Sequence, residues 1–231
     1  MQPVSMSKNT RLVKLSGSFA GSFMQKFEHL GNVGLGVWHW GLEFDGKLAA
    51  AVSYGTTCFS TNRGWLAGIA REVGCGIVQL CRGGSRPWSP KGTASRLIAL
   101  ANRAMYKLRG TLLVVAYADP ELCEIGTIYQ ACNAIYTGLT EPKGQANYII
   151  HGEKLTGWEV RKRYGTRDRS NLFAIDPKYQ VLPLHKKYRY IMITGPPCTR
   201  RLLRKLITPY ALPYPKRGKA GIGQMVASRN S

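Results

Sequence analysis

The stretch from Thr93 to Arg109 constrains the chain most: Ala94, Leu97, Ile98, Ala101, Met105 and Leu108 recur at helical spacing, with Arg96, Arg103 and Lys107 opposite. A helix with one apolar stripe has to bury it against a second layer. The flanking segments supply that layer. Before the helix, Gly76-Ile77-Val78-Gln79-Leu80-Cys81 reads as a strand that stops at Arg82-Gly83-Gly84. After it, Leu112-Leu113-Val114-Val115-Ala116-Tyr117-Ala118 is a continuous apolar run closed by Asp119-Pro120, as expected of a buried strand. Thr93, following Pro90-Lys91-Gly92, is the expected N-cap.

The rest of the chain adds strands around this unit. Val33 to Trp40 and Lys47 to Tyr54 flank Glu43-Phe44-Asp45-Gly46, and Asp-Gly between extended runs predicts a β-hairpin. A second helix is expected from about Ile125 to Tyr136. Short strands follow near Tyr136–Thr140 and Ala146–His151, then a basic helical piece near Trp158–Tyr164 and a strong strand at Tyr188–Thr194. This order predicts one mixed α/β domain over residues 23–197 with a basic insertion at about 153–184. Residues 1–22, Ser/Gly-rich, read as a flexible N-terminal segment. Residues 198–231 read as a basic C-terminal extension that runs extended from Pro209.

Charge decides the class of partner. Lys and Arg number 33 against 12 Asp and Glu in 231 residues, a net +21. Residues 1–150 hold 15 basic and 8 acidic residues, while 151–231 hold 18 and 4. Such an excess points to a polyanion, and nucleic acid is the first candidate. A basic membrane-binding surface is disfavoured, because no run approaches the roughly 18 apolar residues of a spanning helix. Met1 to Phe23 has no continuous apolar core of a secretory signal, so the expected location is cytoplasmic. Six cysteines occur without a CxxC pair, mostly inside apolar runs, and read as buried free thiols. The four histidines show no metal-site spacing, so a metal ion has no support in the sequence.

Two segments carry chemistry. The loop holding Arg82, Gly83, Gly84, Ser85, Lys91 and Gly92 opens a helix, which combines free N–H groups, the positive end of the helix dipole and cationic side chains. That suits a phosphate, although an ordinary Gly/Pro turn explains it equally well, and no Walker loop is present. Asp119 ends a buried strand where open α/β sheets place ligands, and Tyr129, Gln130 and Asn133 follow on the next helix. The plainer alternative is that Asp119 caps a turn and Tyr129 packs on the sheet. The clusters Arg161, Lys162, Arg163, Arg167, Arg169 and Arg200, Arg201, Arg204, Lys205 have the make-up of surfaces that track the phosphates of double-stranded DNA, with a solvated basic face as the alternative. Trp65, Trp88, Tyr54 and Tyr148 are candidates to stack on an extruded base, or else core aromatics.

Taken together, Gln79-Leu80-Cys81-Arg82, Thr93-Ala94-Ser95-Arg96-Leu97, Tyr117-Ala118-Asp119-Pro120 and Gly126-Thr127-Ile128-Tyr129-Gln130-Ala131-Cys132-Asn133 resemble the Mom family of phage adenine-modification proteins. The resemblance covers roughly Tyr54 to Arg163. It implies a GNAT-like acyl-CoA N-acyltransferase fold, α/β with a mixed central sheet, flanking helices and a basic insertion and extension. The implied activity converts adenine in duplex DNA to its N6-carbamoylmethyl derivative, shielding phage DNA from restriction in the cytoplasm of the bacterial host. The implied donor is acetyl-CoA or another acyl-CoA, its pyrophosphate on Lys91, Gly92, Thr93, Ala94, Ser95 and Arg96 and its thioester between the strands Ile77–Cys81 and Leu112–Asp119. Tyr129 resembles the tyrosine that protonates the leaving thiolate. Asp119, Arg82 and Tyr54 complete the expected site, Asp119 to orient the poorly nucleophilic amine and Arg82 to stabilise charge on a carbonyl oxygen. The chain departs from the acyltransferase pattern in one place: Ser89-Pro90-Lys91-Gly92-Thr93-Ala94 stands where a Gln/Arg-x-x-Gly-x-Gly/Ala signature belongs. The alternatives are a GNAT acyltransferase acting on another amine, or a basic nucleic-acid-binding module without catalysis.

Overall fold

A computed structural model describes residues 10–28, 31, 33–56, 64–140, 146–182 and 185–216. It divides into two compact units, residues 1–138 with 188–231, and residues 139–187.

The larger unit is built on a seven-stranded sheet in the order β1-β2-β3-β4-β5-β10-β6. Its strands are β1 (Thr10–Leu15), β2 (Gly36–Phe44), β3 (Lys47–Thr56), β4 (Gly76–Ser85), β5 (Leu112–Ala118), β6 (Ile135–Leu139) and β10 (Tyr188–Thr194). The expected hairpin is β2–β3: Phe44 pairs with Lys47 across Asp45 and Gly46, both at positive φ as a two-residue primed turn requires. β1 to β4 are antiparallel in succession, β4 and β5 run parallel, and β10 is antiparallel to β5. The sheet is therefore mixed and mostly antiparallel, with helices on both faces.

Alternation along the strands assigns the two faces. Val52, Tyr54, Val78, Leu80, Val114 and Ala116 pack with Leu97, Ile98, Ala101 and Met105 of α3 (Thr93–Arg109). Leu113, Val115 and Ile191 point the other way, into α2 (Trp65–Val73) and α7 (Pro197–Ile207). α1 (Gly17–Phe27) covers Ala51 through Phe23 and Met24. Each such fully buried Leu, Ile or Met contributes ~1.5–3 kcal/mol, which fixes α3 in register over the sheet.

Several boundaries differ from the sequence reading. Residues 10–22, expected to be flexible, form β1 and most of α1, with Ser16 capping the helix by accepting from the Phe19 N–H; residues 1–9 lie outside the described residues. The segment from 198 is not a bare extension, because α7 buries Leu203 and Ile207. Beyond it, Leu212 N–H donates to the Tyr136 carbonyl and the Tyr214 hydroxyl to the Ala134 carbonyl, while 217–231 lie outside the described residues. β4 does not stop at Arg82 but runs through Gly83 and Gly84 to Ser85; a Cβ on Gly84 would stand 2.8 Å from the Phe27 carbonyl oxygen, so glycine there lets the end of α1 reach the strand. The N-cap of α3 is Gly92, in the left-handed region, and Thr93 is its first helical residue. The second expected helix shrinks to α4 (Thr127–Ala131), because Asn133 turns the chain at φ 53° into β6.

The smaller unit has its own three-stranded sheet of β7 (Asn147–Ile150), β8 (Glu153–Thr156) and β9 (Gln180–Leu182), ordered β8-β7-β9. It carries α5 (Gly157–Tyr164) and α6 (Arg169–Ile175) over a core of Tyr148, Ile150, Leu155, Val160 and Leu172. Thr156 and Glu159 form a capping box at α5, and Asp176 accepts from the His151 and Lys178 N–H groups. The expected insertion at 153–184 is thus part of a longer compact unit that begins at Leu139.

Candidate active site

β4 and β5 pair only from Gly76↔Leu112 to Gln79↔Val115, after which β4 follows β3 alone. The strands part at this point and open a wedge in the middle of the sheet. A bulge marks the opening: Ser53 pairs with Arg82 but Tyr54 with Leu80, which leaves Cys81 as the extra residue and changes how β4 presents the next side chain. Gly55 faces this bulge, where a Cβ would meet the Cys81 sulfur at 2.9 Å and the Leu35 carbonyl oxygen at 2.0 Å.

Arg82 lies just past the bulge. Its Nη1 donates to the Cys81 carbonyl at 2.7 Å, and its Nε stands 3.9 Å from Oε2 of Glu28, a carboxylate only 4% exposed at the end of α1. Nε itself is buried without a hydrogen bond among the described residues. On the opposite face, Tyr54 is fully buried and donates its hydroxyl to Asn102 Oδ1 of α3 at 2.9 Å.

Tyr129 comes to the wedge from α4. Gly126 begins that helix at φ 69°, and a Cβ there would fall 2.3 Å from the Tyr190 ring, so both the backbone and the packing require glycine. Gln130 holds the turn: its Nε2 donates to the Ile125 carbonyl at 2.8 Å, which also accepts from the Tyr190 hydroxyl. The Tyr129 hydroxyl is 3.4 Å from the Tyr117 carbonyl near the end of β5, and its ring lies 5.4 Å from that of Tyr190. Burial above all pushes the Tyr129 phenol well above its ordinary pKa; Glu124 and Cys132 add to the rise and Arg82 opposes it. Burial likewise raises Tyr54, with Cys132 and Tyr129 contributing, and pushes the Cys132 thiol up to about 11. Tyr129 therefore stands within electrostatic reach of Tyr54 and Cys132 and of Arg82 and Glu124. At neutral pH both phenols hold their protons, the state required of a proton donor.

The Asp119 carboxylate accepts from the Glu121 N–H at 3.1 Å and so caps the 3-10 turn Pro120–Leu122. Glu124, in turn, accepts from the Asp119 N–H at 3.2 Å. The sequence reading did not single out Glu124, because Asp119 held the strand-end position. It also passed over Asn102, whose signal was a polar residue in the apolar stripe between Ile98 and Met105.

α3 opens with no side-chain cap and no acid in its first turn, and Ser95 Oγ turns back to the Gly92 carbonyl. Lys91 and Gly92 are exposed beside the N–H groups of Ala94 and Ser95, with Arg96 exposed one residue on. A helix N-terminus without a compensating acid, a lysine beside it and a wedge between two parallel strands fit the pyrophosphate and thioester of an acyl-CoA.

The basic clusters divide between the units. In the smaller one Arg161, Lys162 and Arg169 are exposed and Arg167 is half-buried, while Arg163 pairs through its two terminal guanidinium nitrogens, Nη1 and Nη2, with Glu153. In the larger one Arg200, Arg201, Arg204 and Lys205 are exposed on α7. Of the aromatics considered for stacking, Tyr54 and Tyr148 are buried and Trp65 stacks on Tyr210 at 3.8 Å; only Trp88 is exposed, at 40%. Of the five described cysteines three are half-buried and Cys123 and Cys198 exposed, so none is fully buried; Cys58 lies outside the described residues. Among the described residues no group of three or more His, Cys, Asp or Glu could hold a metal ion, and no helix is long and apolar enough to cross a membrane.

Solved structures similar to this chain include a polyamine N-acetyltransferase of Drosophila melanogaster, 9% identical with TM-score 0.43, covering 80% of this chain and 100% of that one. A spermidine/spermine N-acetyltransferase of Vibrio cholerae is 10% identical with TM-score 0.42, over 87% of this chain and 99% of that one. A GNAT superfamily phosphinothricin acetyltransferase of Sinorhizobium meliloti, solved with AcCoA, is 11% identical with TM-score 0.42, over 80% and 89%. No curated protein sequence matches. A sequence model of the Mom protein family matches residues 20–216, which takes in the wedge, the α3 loop, the smaller unit and α7, and the chain belongs to the Mom protein family.

Proposed function

We propose that the chain is a DNA-modifying transferase that uses an acyl-CoA to convert the exocyclic amine of adenine in duplex DNA toward an N6-carbamoylmethyl group, protecting phage DNA from host restriction. The observation that carries this reading is the wedge between β4 and β5, with Arg82, Tyr129 and Tyr54 gathered around it and a cation-flanked helix N-terminus at its side. Membership of the Mom family and the net charge of +21 support the choice of DNA as acceptor.

Each residue has a task that its surroundings favour. Lys91 through Arg96 hold the donor pyrophosphate. Tyr129, kept protonated by burial, delivers a proton to the departing thiolate, and Tyr54 with Asn102 fixes the floor of the site. Arg82 stabilises the carbonyl oxygen as charge develops on it. Asp119 orients the adenine amine, with Glu124 as the neighbouring carboxylate. The CoA thioester supplies an activated acyl carbon. Transfer of an acetyl group would place a carbonyl carbon on N6 with loss of the thiol, whereas a carbamoylmethyl group is joined through CH₂ and carries an amide nitrogen, so its formation also requires a co-substrate that supplies that CH₂ link and that nitrogen. Arg161, Lys162, Arg167, Arg169 and the α7 cations bind phosphates, and location in the cytoplasm of a bacterial host follows from that role.

The test is release of free thiol from acetyl-CoA by purified protein with and without duplex DNA. DNA-dependent release supports the reading. Release onto a small amine but not DNA would favour an acyltransferase of another substrate, and no release with tight DNA binding would favour a binding module.

A further inference from the structure

Three adjoining cavities, of about 570, 330 and 220 Å³, meet at Arg204 in the larger unit. Arg200 lines the first two, and Asn133 the first and third. Together they make one elongated groove from Pro197 at the start of α7 to Leu212 beyond its end. Its origin lies in the chain path: α4 is a single short helix, so the flank of α3 at Ala99, Asn102, Arg103 and Tyr106 stays open beside Met192–Gly195 of β10 and its following turn.

The chemistry of this groove is one-sided. Arg103 comes from α3 on one face of the sheet, and Arg200, Arg201 and Arg204 from α7 on the other, yet among the described residues no Asp or Glu lines any of the three cavities. Among the described residues none of these arginines has a side-chain hydrogen bond or ion pair. Asn102 gives its oxygen to Tyr54 and keeps an Nδ2 whose one partner is the Met192 sulfur at 3.5 Å. Three arginines line the first cavity and three the second, Arg200 and Arg204 being common to both, and such a run of guanidinium groups with no acid among the described lining residues suits phosphate esters. The elongated shape suits successive phosphates of a strand more than a single compact anion. Arg103 lies eleven residues along α3 from Gly92, ~16 Å at the helical rise, so a ligand here is distinct from a pyrophosphate at the α3 N-terminus.

We propose that this groove, with Arg103 and Arg204 as opposed anchors, holds the phosphodiester backbone of the nucleic-acid substrate, an assignment that rests on the DNA-acceptor reading. Through Asn102 and Cys132 the groove adjoins the residues around Tyr54 and Tyr129, so a strand held in it lies next to the reacting site.

The experiment compares Arg103→Glu/Arg204→Glu with an equal charge change elsewhere, Lys14→Glu/Lys47→Glu on β1 and at the start of β3, both exposed. Binding of a duplex oligonucleotide is measured against salt, with thermal melting as a check on folding. The groove variant is expected to lose about tenfold or more in affinity and to flatten the salt slope by ~0.9 log units per phosphate contact removed. The control should change affinity less than about threefold, since charges beyond a Debye length are screened. Equal losses in the two variants, or no loss in the groove variant, overturn the proposal. So does lower acetyl-CoA affinity of the groove variant with unchanged DNA affinity, because the phosphates would then be the donor's. Failure of the wild type to modify adenine while the binding difference holds removes the acceptor reading and leaves the groove standing.

Discussion

The Asp119 N–H donates to Glu124 Oε2 while the Asp119 carboxylate accepts from the Glu121 N–H, so the two acids at the mouth of the wedge are tied together through the backbone of one turn. Asp119→Asn keeps a capping oxygen and should melt within a degree or two of wild type. Asp119→Ala loses the cap and should cost ~1 kcal/mol. With Asp119 orienting the amine, the Asn variant should still slow modification by ~10²–10⁴-fold. Thermal melting combined with single-turnover modification checks both effects; unchanged turnover in a folded Asn variant would leave Asp119 with the cap alone.

Tyr129→Phe removes a hydroxyl whose one described hydrogen bond is long, 3.4 Å to the Tyr117 carbonyl, so stability should change by less than ~1 kcal/mol. Turnover should drop by ~10²–10⁴-fold while DNA affinity persists. Kinetics and oligonucleotide binding on the same preparation separate the two.

Alkaline pH should expose the burial of this phenol. Its folded-state pKa lies above the ordinary value, so the unfolded chain ionises first as pH rises past ~10. The associated stability is present below that pH and is lost as pH climbs toward the folded pKa. Tyr54, raised by the same cause, acts in the same direction. Melting temperature should therefore fall from about pH 10 upward, and less steeply in Tyr129→Phe. Identical slopes would place the ring in water.

Gly126→Ala should damage the fold, since its Cβ would enter the Tyr190 ring and its φ of 69° disfavours alanine. A loss of ~2–4 kcal/mol is expected from strain and overpacking. Denaturant unfolding measures it, and a neutral result would show that α4 can shift without cost.

The elements legible from sequence were those whose pattern came from burial: α3, β5 and β10 appear at the expected residues because apolar spacing alone defines them. α1 was hidden by its Ser and Gly, β1 by being only six residues long beside them, and α7 by four cations around the buried Leu203 and Ile207. Thr93 looked like a cap because sequence does not display that Gly92 takes φ 85°. In the site, the positions of Arg82, Tyr54 and Tyr129 near one another depend on a bulge at Cys81 and on the short α4, neither of which has a periodic signature. Asn102 was missed because its partner Tyr54 is 48 residues away in sequence, and Glu124 because its link to Asp119 depends on the 3-10 turn at Pro120–Leu122.

Lys91→Glu should weaken acyl-CoA binding by placing a negative charge beside the N-terminus of α3, where no acid now stands. Calorimetry with acetyl-CoA on the folded variant reads this directly. Unaltered affinity would move the pyrophosphate away from the loop.

Mass spectrometry of nucleosides from the DNA of cells expressing the wild type or Tyr129→Phe reads the modification itself. A carbamoylmethylated deoxyadenosine is expected in the first and a sharply reduced amount in the second. Unmodified deoxyadenosine with the folded wild type, or equal modification by both proteins, would contradict that expectation.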